Sequence, residues 1–189
     1  MTLPRLFGPV AEVLATTGVP YMLTGSFASA YHGAPRATQD IDLVIAATGP
    51  QVRQLVRLLA AQGHYVDEGA ALEAVAHESQ FNAIDPASGW KVDFIVRKAR
   101  PFSLEEFARR RAAEVDGATL WIAAVEDVML AKLEWARLGQ SERQLEDVAA
   151  LLRVRHPELD WAYLYRWVTA LGVSKEWGRA LARAGVSAS

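Results

Sequence analysis

Residues 20–46 read PYMLTGSFASAYHGAPRATQDIDLVIA, and this stretch decides the fold. The apolar run Pro20–Thr24 predicts a short strand, and Phe27–His32 predicts a short helix. Gly25-Ser26 lies at the junction between them, and Gln39–Ala46 predicts the next strand. The succession of strand, Gly-Ser turn, helix and strand is typical of a mixed α/β domain.

Two aspartates stand two residues apart within the second predicted strand. Because side chains alternate along a strand, Asp40 and Asp42 point to the same face, while Ile41 and Leu43 point into the core. Carboxylates this close raise one another's pKa unless a cation lies between them, and a divalent metal ion commonly takes that place. The alternative is a solvated strand face, which Asp-x-Asp on its own favours.

A third aspartate, Asp93, lies in the apolar run Lys91–Val96. The apolar residues alternate there, so Asp93 points away from the core, as an ordinary exposed acid also would. Three acids on neighbouring strands could instead hold two Mg²⁺ or Mn²⁺ ions. One ion would activate an attacking hydroxyl, and the other would bind a triphosphate.

Gly25-Ser26 offers a place for phosphate. A glycine lets phosphate approach the backbone, the following helix presents free N–H groups, and Ser26 adds a hydroxyl donor. The alternative is a simple capped turn.

The remaining sequence predicts two parts. Residues 1–124 form an α/β core, and residues 125–189 form a helical region packed on it. In the first part we predict a helix at Pro50–Gln62, a hairpin of Phe81–Ile84 with Trp90–Val96, a helix that a Ser103/Glu106 capping box opens and that runs to about Glu114, and a last strand at Thr119–Ala123. In the second part we predict helices at 126–138, 142–155, 161–171 and 175–184, with Ser141, Asp160 and Ser174 as N-caps.

Composition limits the class of protein. A chain of 189 residues without cysteine predicts one domain, or a small domain with a helical extension, in a reducing compartment. No signal peptide and no apolar run of about 20 residues is visible, so we expect a cytoplasmic protein without a membrane partner. The net charge of −2 argues against a generally basic nucleic-acid-binding surface. One local basic patch is possible, at Arg97, Lys98, Arg100 and Arg109–Arg111.

The six tryptophans fall mainly in the helical half of the chain. We predict that four of its tryptophans belong to the core or to helix interfaces rather than to base-stacking platforms: Trp135, Trp161, Trp167 and Trp177.

Taken together, Leu23–Ser26, Asp40–Leu43 and Asp93 resemble the signature of the nucleotidyltransferase superfamily. The resemblance implies the nucleotidyltransferase fold, an α/β (α+β) arrangement with a small mixed sheet flanked by helices and a C-terminal helical bundle. It also implies that Gly25 and Ser26 bind the nucleotide phosphates. The first two acids would bind both metal ions, and the third would help to deprotonate the attacking group.

More closely, Tyr31–Gly33, Pro35–Thr38 and Val125–Leu133 resemble the bacterial abortive-infection (AbiEii-like) nucleotidyltransferases, over residues 20 to about 152. That group includes toxins of type IV toxin–antitoxin systems, so the resemblance implies a possible cognate antitoxin as partner. It also implies that a lysine and an aspartate on two later helices complete the site, here Lys132 and Asp147.

Helix geometry supports pairing of Lys132 with Asp147. Lys132 lies eight residues before Gln140 and Asp147 seven after it, so at 1.5 Å per residue both lie roughly 11–12 Å from the turn between their helices. Lys132 could contact a triphosphate, and Asp147 could orient that lysine or receive the sugar or base. Alternatively, the two could form a surface ion pair across the hairpin. Arg36 could contact phosphate or acceptor, or stabilise its own loop.

The sequence therefore predicts a metal-dependent nucleotidyltransferase that moves a nucleoside monophosphate from a nucleoside triphosphate to an acceptor hydroxyl. The resemblance favours RNA, such as a tRNA 3′ end, or a protein side chain as the acceptor. Two alternatives remain open: an aminoglycoside-type enzyme with a small-molecule acceptor, and a non-catalytic nucleotide-binding regulatory protein.

Overall fold

A computed structural model describes residues 3–115 and 118–186 of the chain. The helices are α1 (Leu3–Thr17), α2 (Gly25–Tyr31), α3 (Gly49–Ala61), α4 (Glu68–Ala76), α5 (Pro101–Ala108), α6 (Val125–Gly139), α7 (Glu142–Arg155), α8 (Trp161–Ala170) and α9 (Ser174–Ala184). The strands are β1 (Tyr21–Leu23), β2 (Asp40–Ile45), β3 (Tyr65–Val66), β4 (Gln80–Ile84), β5 (Lys91–Val96), β6 (Arg111–Val115) and β7 (Ala118–Ile122). No helix of the described residues has the length and apolarity that crossing a membrane requires.

The described residues group into two compact units. The first contains residues up to 24 together with 37–123, and the second contains residues 25–36 together with those from 124 onwards. Residues 25–36, which carry α2, thus belong with the C-terminal helices rather than with the sheet.

All strands of the described residues belong to one seven-stranded mixed sheet in the first unit, in the order β3-β4-β5-β2-β1-β7-β6. The pairs β2/β5 and β1/β7 are parallel, and the other neighbours are antiparallel. A mixed sheet accompanied by helices confirms the predicted fold class.

Alternation along β2 separates the core from the exposed face. Ile41, Leu43 and Ile45 are at most 1% exposed, whereas Asp40 and Asp42 are only partly buried. The same alternation occurs in β5. Burying one apolar face of each strand therefore leaves the acids on the other face.

The predicted helix from Ser103 to Glu114 is wrong at both ends. The helix begins at Pro101, with Arg100 as its N-cap, and ends at Ala108. Ser103 and Glu106 are both buried inside the helix and do not form a capping box at its start. Glu114 belongs to β6, which pairs with β7. The two residues between these strands, 116 and 117, lie outside the described residues.

Besides β6, three elements of the first unit were not predicted. Pro9 lies inside α1, but Phe7, Val10 and Leu14 recur at helical spacing and are buried. The other two are β3 and α4, and Asp67 caps α4 by accepting from the Ala70 N–H. Short elements with little periodicity are the hardest to recognise from sequence.

In the second unit, α6 packs against α2, α7 and α8, and α7 packs against α9. Two buried acids of α6 tie it to the start of α8: Glu126 accepts from the Asp160 N–H, and Asp127 accepts from the Tyr163 hydroxyl. These bonds give both acids structural partners within the unit.

The predicted N-caps of the second unit have mixed outcomes. Asp160 caps α8 as predicted, by accepting from the Tyr163 N–H. Ser141 is the N-cap residue of α7 but makes no side-chain cap bond. Ser174 as N-cap is wrong, because Val173 occupies that position and Ser174 already lies in α9.

The predicted burial of tryptophans holds for only some of them. Trp167 and Trp177 are buried, as predicted. Trp135 is 49% exposed, so of the two predicted positions, core or helix interface, the core is excluded.

Candidate active site

Three aspartates of the first unit share one face of two neighbouring parallel strands. Asp42 of β2 is the register partner of Asp93 of β5, and Asp40 is the partner of Lys91. Paired residues on adjacent strands lie about 4.8 Å apart and point to the same face. The structure therefore brings together the three acids that the sequence predicted.

A lysine lies among these acids. The ammonium of Lys91 is 2.8 Å from Oδ2 of Asp93 and 3.5 Å from Oδ1 of Asp40. The hydrogen bond to Asp93 is the main factor that raises the pKa of Lys91 above its ordinary value, and the charge of Asp40 acts in the same direction. Two of the three carboxylates thus converge on one cation.

The arrangement of these side chains shows how well they could hold a metal ion. The donors are carboxylate oxygens, the ligand type that Mg²⁺ and Mn²⁺ prefer. As the side chains stand, no three His, Asp or Glu residues within 3–115 and 118–186 form a group that could hold a metal ion. The donor set fits a divalent cation, on condition that the ammonium of Lys91 moves away from Asp93 and Asp40.

Gly25 and Ser26 begin α2 in the second unit. Gly25 has φ of 63°, in the left-handed region that favours glycine. Ser26 is only 2% exposed. Its burial and the backbone conformation of Gly25 explain both residue types locally, while phosphate binding stays a prediction.

Lys132 and Asp147 form a buried ion pair in the second unit. Oδ2 of Asp147 accepts from Nζ of Lys132 at 2.7 Å, and the same oxygen accepts from Nε of Arg36 at 3.0 Å. Lys132 also donates to Gln144 at 3.2 Å. The distance confirms the predicted level placement on the two helices. With Lys132 only 4% exposed, the pair is not the surface ion pair considered as the alternative.

Sequence reasoning missed two residues on the acidic face. Lys91 lies two residues before Asp93, so strand alternation already placed both on one face. Asn82 of β4 is the register partner of Asp93 and is exposed. The predicted hairpin of β4 and β5 indicated their proximity, but the register between the strands was needed to pair them.

The sheet and helices define a nucleotidyltransferase fold. Among solved structures, this chain is similar to the antibiotic-resistance factor ANT(2″)-Ia, with 13% sequence identity and a TM-score of 0.57. The match covers 93% of this chain and 92% of the ANT(2″)-Ia chain. An antigenic nucleotidyltransferase-like protein from Paracoccidioides brasiliensis is 18% identical over 97% of this chain and 93% of its own, with a TM-score of 0.57.

A third similar structure is the lincosamide antibiotic adenylyltransferase LnuA with lincomycin bound. It is 12% identical over 80% of this chain and 96% of its own, with a TM-score of 0.55. No protein-family model matches the sequence, and no curated protein matches it. The shared property at these identities is the fold.

Proposed function

We propose that this chain is a metal-dependent nucleotidyltransferase that moves a nucleoside monophosphate from a nucleoside triphosphate to an acceptor hydroxyl. One observation carries the proposal: Asp40, Asp42 and Asp93 share one face of a nucleotidyltransferase-fold sheet, and two of them converge on a single cation. Such a carboxylate cluster suits two Mg²⁺ or Mn²⁺ ions.

The acids would divide the work in the way that the superfamily resemblance implies. Asp40 and Asp42 would bind both ions, and Asp93 would bind one and accept the proton of the attacking hydroxyl. When bound, the ions would neutralise charge on the triphosphate and favour loss of that proton. The acceptor oxygen forms a bond to the α-phosphorus, the bond to the β-phosphate oxygen breaks, and pyrophosphate leaves.

Other residues are proposed to bind the triphosphate. By resemblance, Gly25 and Ser26 would donate to its phosphates, and Lys132 and Arg36 would add positive charge, with Asp147 orienting both cations. The bonds from Lys132 and Arg36 to one oxygen of Asp147 support this orienting role. The lysine would have to exchange one of its present bonds for a phosphate oxygen.

The chemical class of the acceptor is a separate part of the proposal. The abortive-infection resemblance supports an RNA such as a tRNA 3′ end, or a protein side chain, in a cytoplasmic toxin with a cognate antitoxin. A small-molecule acceptor is the second candidate, because ANT(2″)-Ia, solved with adenylyl-2″-tobramycin, and LnuA have similar folds. A non-catalytic nucleotide-binding regulator is the third, although all three acids are in place.

Pyrophosphate release tests the proposal. We expect release from a nucleoside triphosphate with Mg²⁺, supplied with total RNA, cell lysate or tobramycin as acceptor, and none with a chelator. Asp42→Asn should lower the rate at least about 100-fold, because it removes a carboxylate from the centre of the cluster.

Glu73→Gln provides the matched control, since Glu73 is an exposed acid on α4 outside the acidic face. It should keep the wild-type rate, and thermal unfolding should show that both variants are folded. Equal rates for Asp42→Asn and wild type would remove the assignment of the acids. Tight nucleotide binding without pyrophosphate release from any acceptor mixture would favour the regulatory protein.

A further inference from the structure

A second charged cluster lies in the first unit, around a buried phenylalanine of α5. The guanidinium carbons of Arg97 and Arg110 lie 5.3 Å and 4.1 Å from the centroid of the Phe107 ring. Arg110 also lies over Trp121 of β7, at 5.2 Å from the ring centroid. We call Arg97 and Arg110 the arginine pair. Their contacts with aromatic rings fix where their charges lie.

The arginine pair has no acidic partner in the part of the chain that the structure describes. The Nε atoms of both residues are buried and donate to no acceptor there. Nη1 of Arg110 donates to the carbonyl of Phe107. Burial, and then the nearby charge of Arg97, lowers the pKa of Arg110 below its ordinary value, although arginine stays protonated at neutral pH. Two positive charges therefore lie against one aromatic ring without an acidic partner.

Positive charge of this kind is complementary to phosphate. Guanidinium groups bind phosphate oxygens through parallel N–H donors, and a bound phosphate neutralises the positive charge. A polycationic acceptor such as tobramycin would be repelled by the same pair. The charge of the pair thus favours an anionic acceptor over the aminoglycoside alternative.

Trp121 adds an aromatic surface beside the pair. Its neighbours in β7, Leu120 and Ile122, are buried, whereas Trp121 is 43% exposed. Nucleic-acid bases stack on exposed aromatic rings, and cationic arginine next to the ring strengthens such contacts. Arginines that bind phosphate beside an exposed tryptophan are a combination suited to a single-stranded nucleic acid.

Sheet register places Trp121 and Arg97 on the acidic face. Leu43 pairs with Leu23, and Leu23 with Ile122, so these three share the face opposite Asp42. Trp121, one residue from Ile122, therefore lies on the face of Asp42. The Arg97 N–H continues the strand by donating to the Ile45 carbonyl. Arg97 is the fourth residue after Asp93, about 13 Å further along the same face.

We propose that the arginine pair binds backbone phosphates, and Trp121 a base, of a single-stranded RNA acceptor whose terminal hydroxyl extends to the acids. The inference rests on the proposed nucleotidyltransferase activity and assigns its acceptor-binding residues. An extended polyanion can contact the cluster and the acids together, because Arg97, Trp121 and the acids lie on one sheet face.

RNA binding without catalysis tests the inference. The probe is a fluorescein-labelled single-stranded RNA of about 12 nucleotides, followed by anisotropy at several salt concentrations in Asp42→Asn protein without nucleotide. Adding R97A/R110A should weaken binding at least tenfold and flatten the plot of log Kd against log salt by about 1.4, the value for two phosphate contacts on a single strand. Trp121→Ala should weaken binding roughly 5- to 150-fold with the slope unchanged.

The matched control is R53A/R57A, which removes two exposed positive charges from α3, outside the arginine pair. It should bind the RNA as the parent does, and circular dichroism should show that all variants are folded. Equal loss of binding in R97A/R110A and R53A/R57A would overturn the inference. So would displacement of the RNA by inorganic phosphate as effectively as by unlabelled RNA, or binding of tobramycin with no binding of RNA.

The two hypotheses fail in different ways. Absence of pyrophosphate release, with the expected pattern of RNA binding, would remove the enzymatic function and leave the binding site. Normal pyrophosphate release by the wild-type protein, together with unchanged RNA binding by R97A/R110A, would remove only the proposed acceptor site.

Discussion

At the scale of single residues, Lys91 has the clearest consequence. Its ammonium bridges Asp93 and Asp40, where the proposed function requires divalent cations. A lysine there reduces repulsion among the acids and also competes with a metal ion for the same oxygens. The bound ion and the ammonium therefore exclude each other from the shared position.

We predict that Lys91→Met increases the affinity for Mn²⁺ in the absence of nucleotide. Losing one nearby positive charge should lower the Kd about tenfold, since the side chain is 35% exposed and solvent screens part of the interaction. Electron paramagnetic resonance of free Mn²⁺ measures the affinity. Lys98→Met removes an exposed lysine outside the acidic face and should leave it unchanged. Equal Mn²⁺ affinity in the two variants would show that Lys91 does not compete with the ion.

At the scale of elements, the α6–α7 hairpin holds a buried cation. Lys132→Met would break its bonds to Asp147 and Gln144. Removing one partner of a buried pair costs about 3–5 kcal/mol when the other charge is left alone. Arg36 stays bonded to Asp147, so we expect a smaller loss in the free energy of unfolding, about 1–3 kcal/mol.

Urea denaturation measures that loss, and pyrophosphate release by the folded fraction separates structure from catalysis. If Lys132 binds triphosphate, Lys132→Met should lower the rate at saturating substrate even where the protein is fully folded. Lys132→Arg should restore much of the stability because it keeps the charge. A full rate in folded Lys132→Met protein would limit this lysine to a structural role.

Between α7 and α9, an exposed cluster gives a pH-dependent contribution. Hydrogen bonds from Arg179 and Arg183 lower the pKa of Glu142 below its ordinary value. The contribution is therefore present above the unfolded-state pKa of about 4.3 and is lost as pH falls through the lowered folded-state pKa. Glu142→Gln should melt slightly below wild type at pH 7 and at the same temperature once Glu142 is protonated in both states. A difference in melting temperature that persists in acid would contradict this ion cluster.

The elements also show what sequence can predict. The positions of β2, β5, α6 and α7 could be predicted from their clear periodicity. The rise per residue along a helix predicted that Lys132 and Asp147 lie at the same height. Arg36 reaches Asp147 from a loop with no periodicity, so only the structure reveals that bond. The α5–β6 boundary was missed because Pro101 and the pairing with β7 outweighed a capping-box pattern. Similarly, Phe107 and Trp121 meet Arg110 through tertiary packing between distant segments.

At the scale of the whole molecule, a small net charge conceals local clusters of like charge. The chain carries −2 in total, yet the first unit contains both an acidic cluster and the arginine pair. Net charge alone would disfavour a nucleic-acid acceptor. Local complementarity, with metal ions neutralising the acids and arginines contacting phosphate, is compatible with one.

Stability of the whole molecule should respond to nucleotide and metal together. A ligand at 100 times its Kd stabilises the folded state by about 2.7 kcal/mol, which corresponds to a rise in melting temperature of roughly 5–10 °C for a chain of this size. We expect calorimetry to show this rise for a nucleoside triphosphate with Mg²⁺, and a much smaller one with a chelator. Because Asp42 is central to the proposed metal site, Asp42→Asn should lose most of the Mg²⁺-dependent part, whereas Glu73→Gln should keep it. If Asp42→Asn and wild type gained equal stability from Mg²⁺ and nucleotide, the ions would have to bind away from Asp40, Asp42 and Asp93.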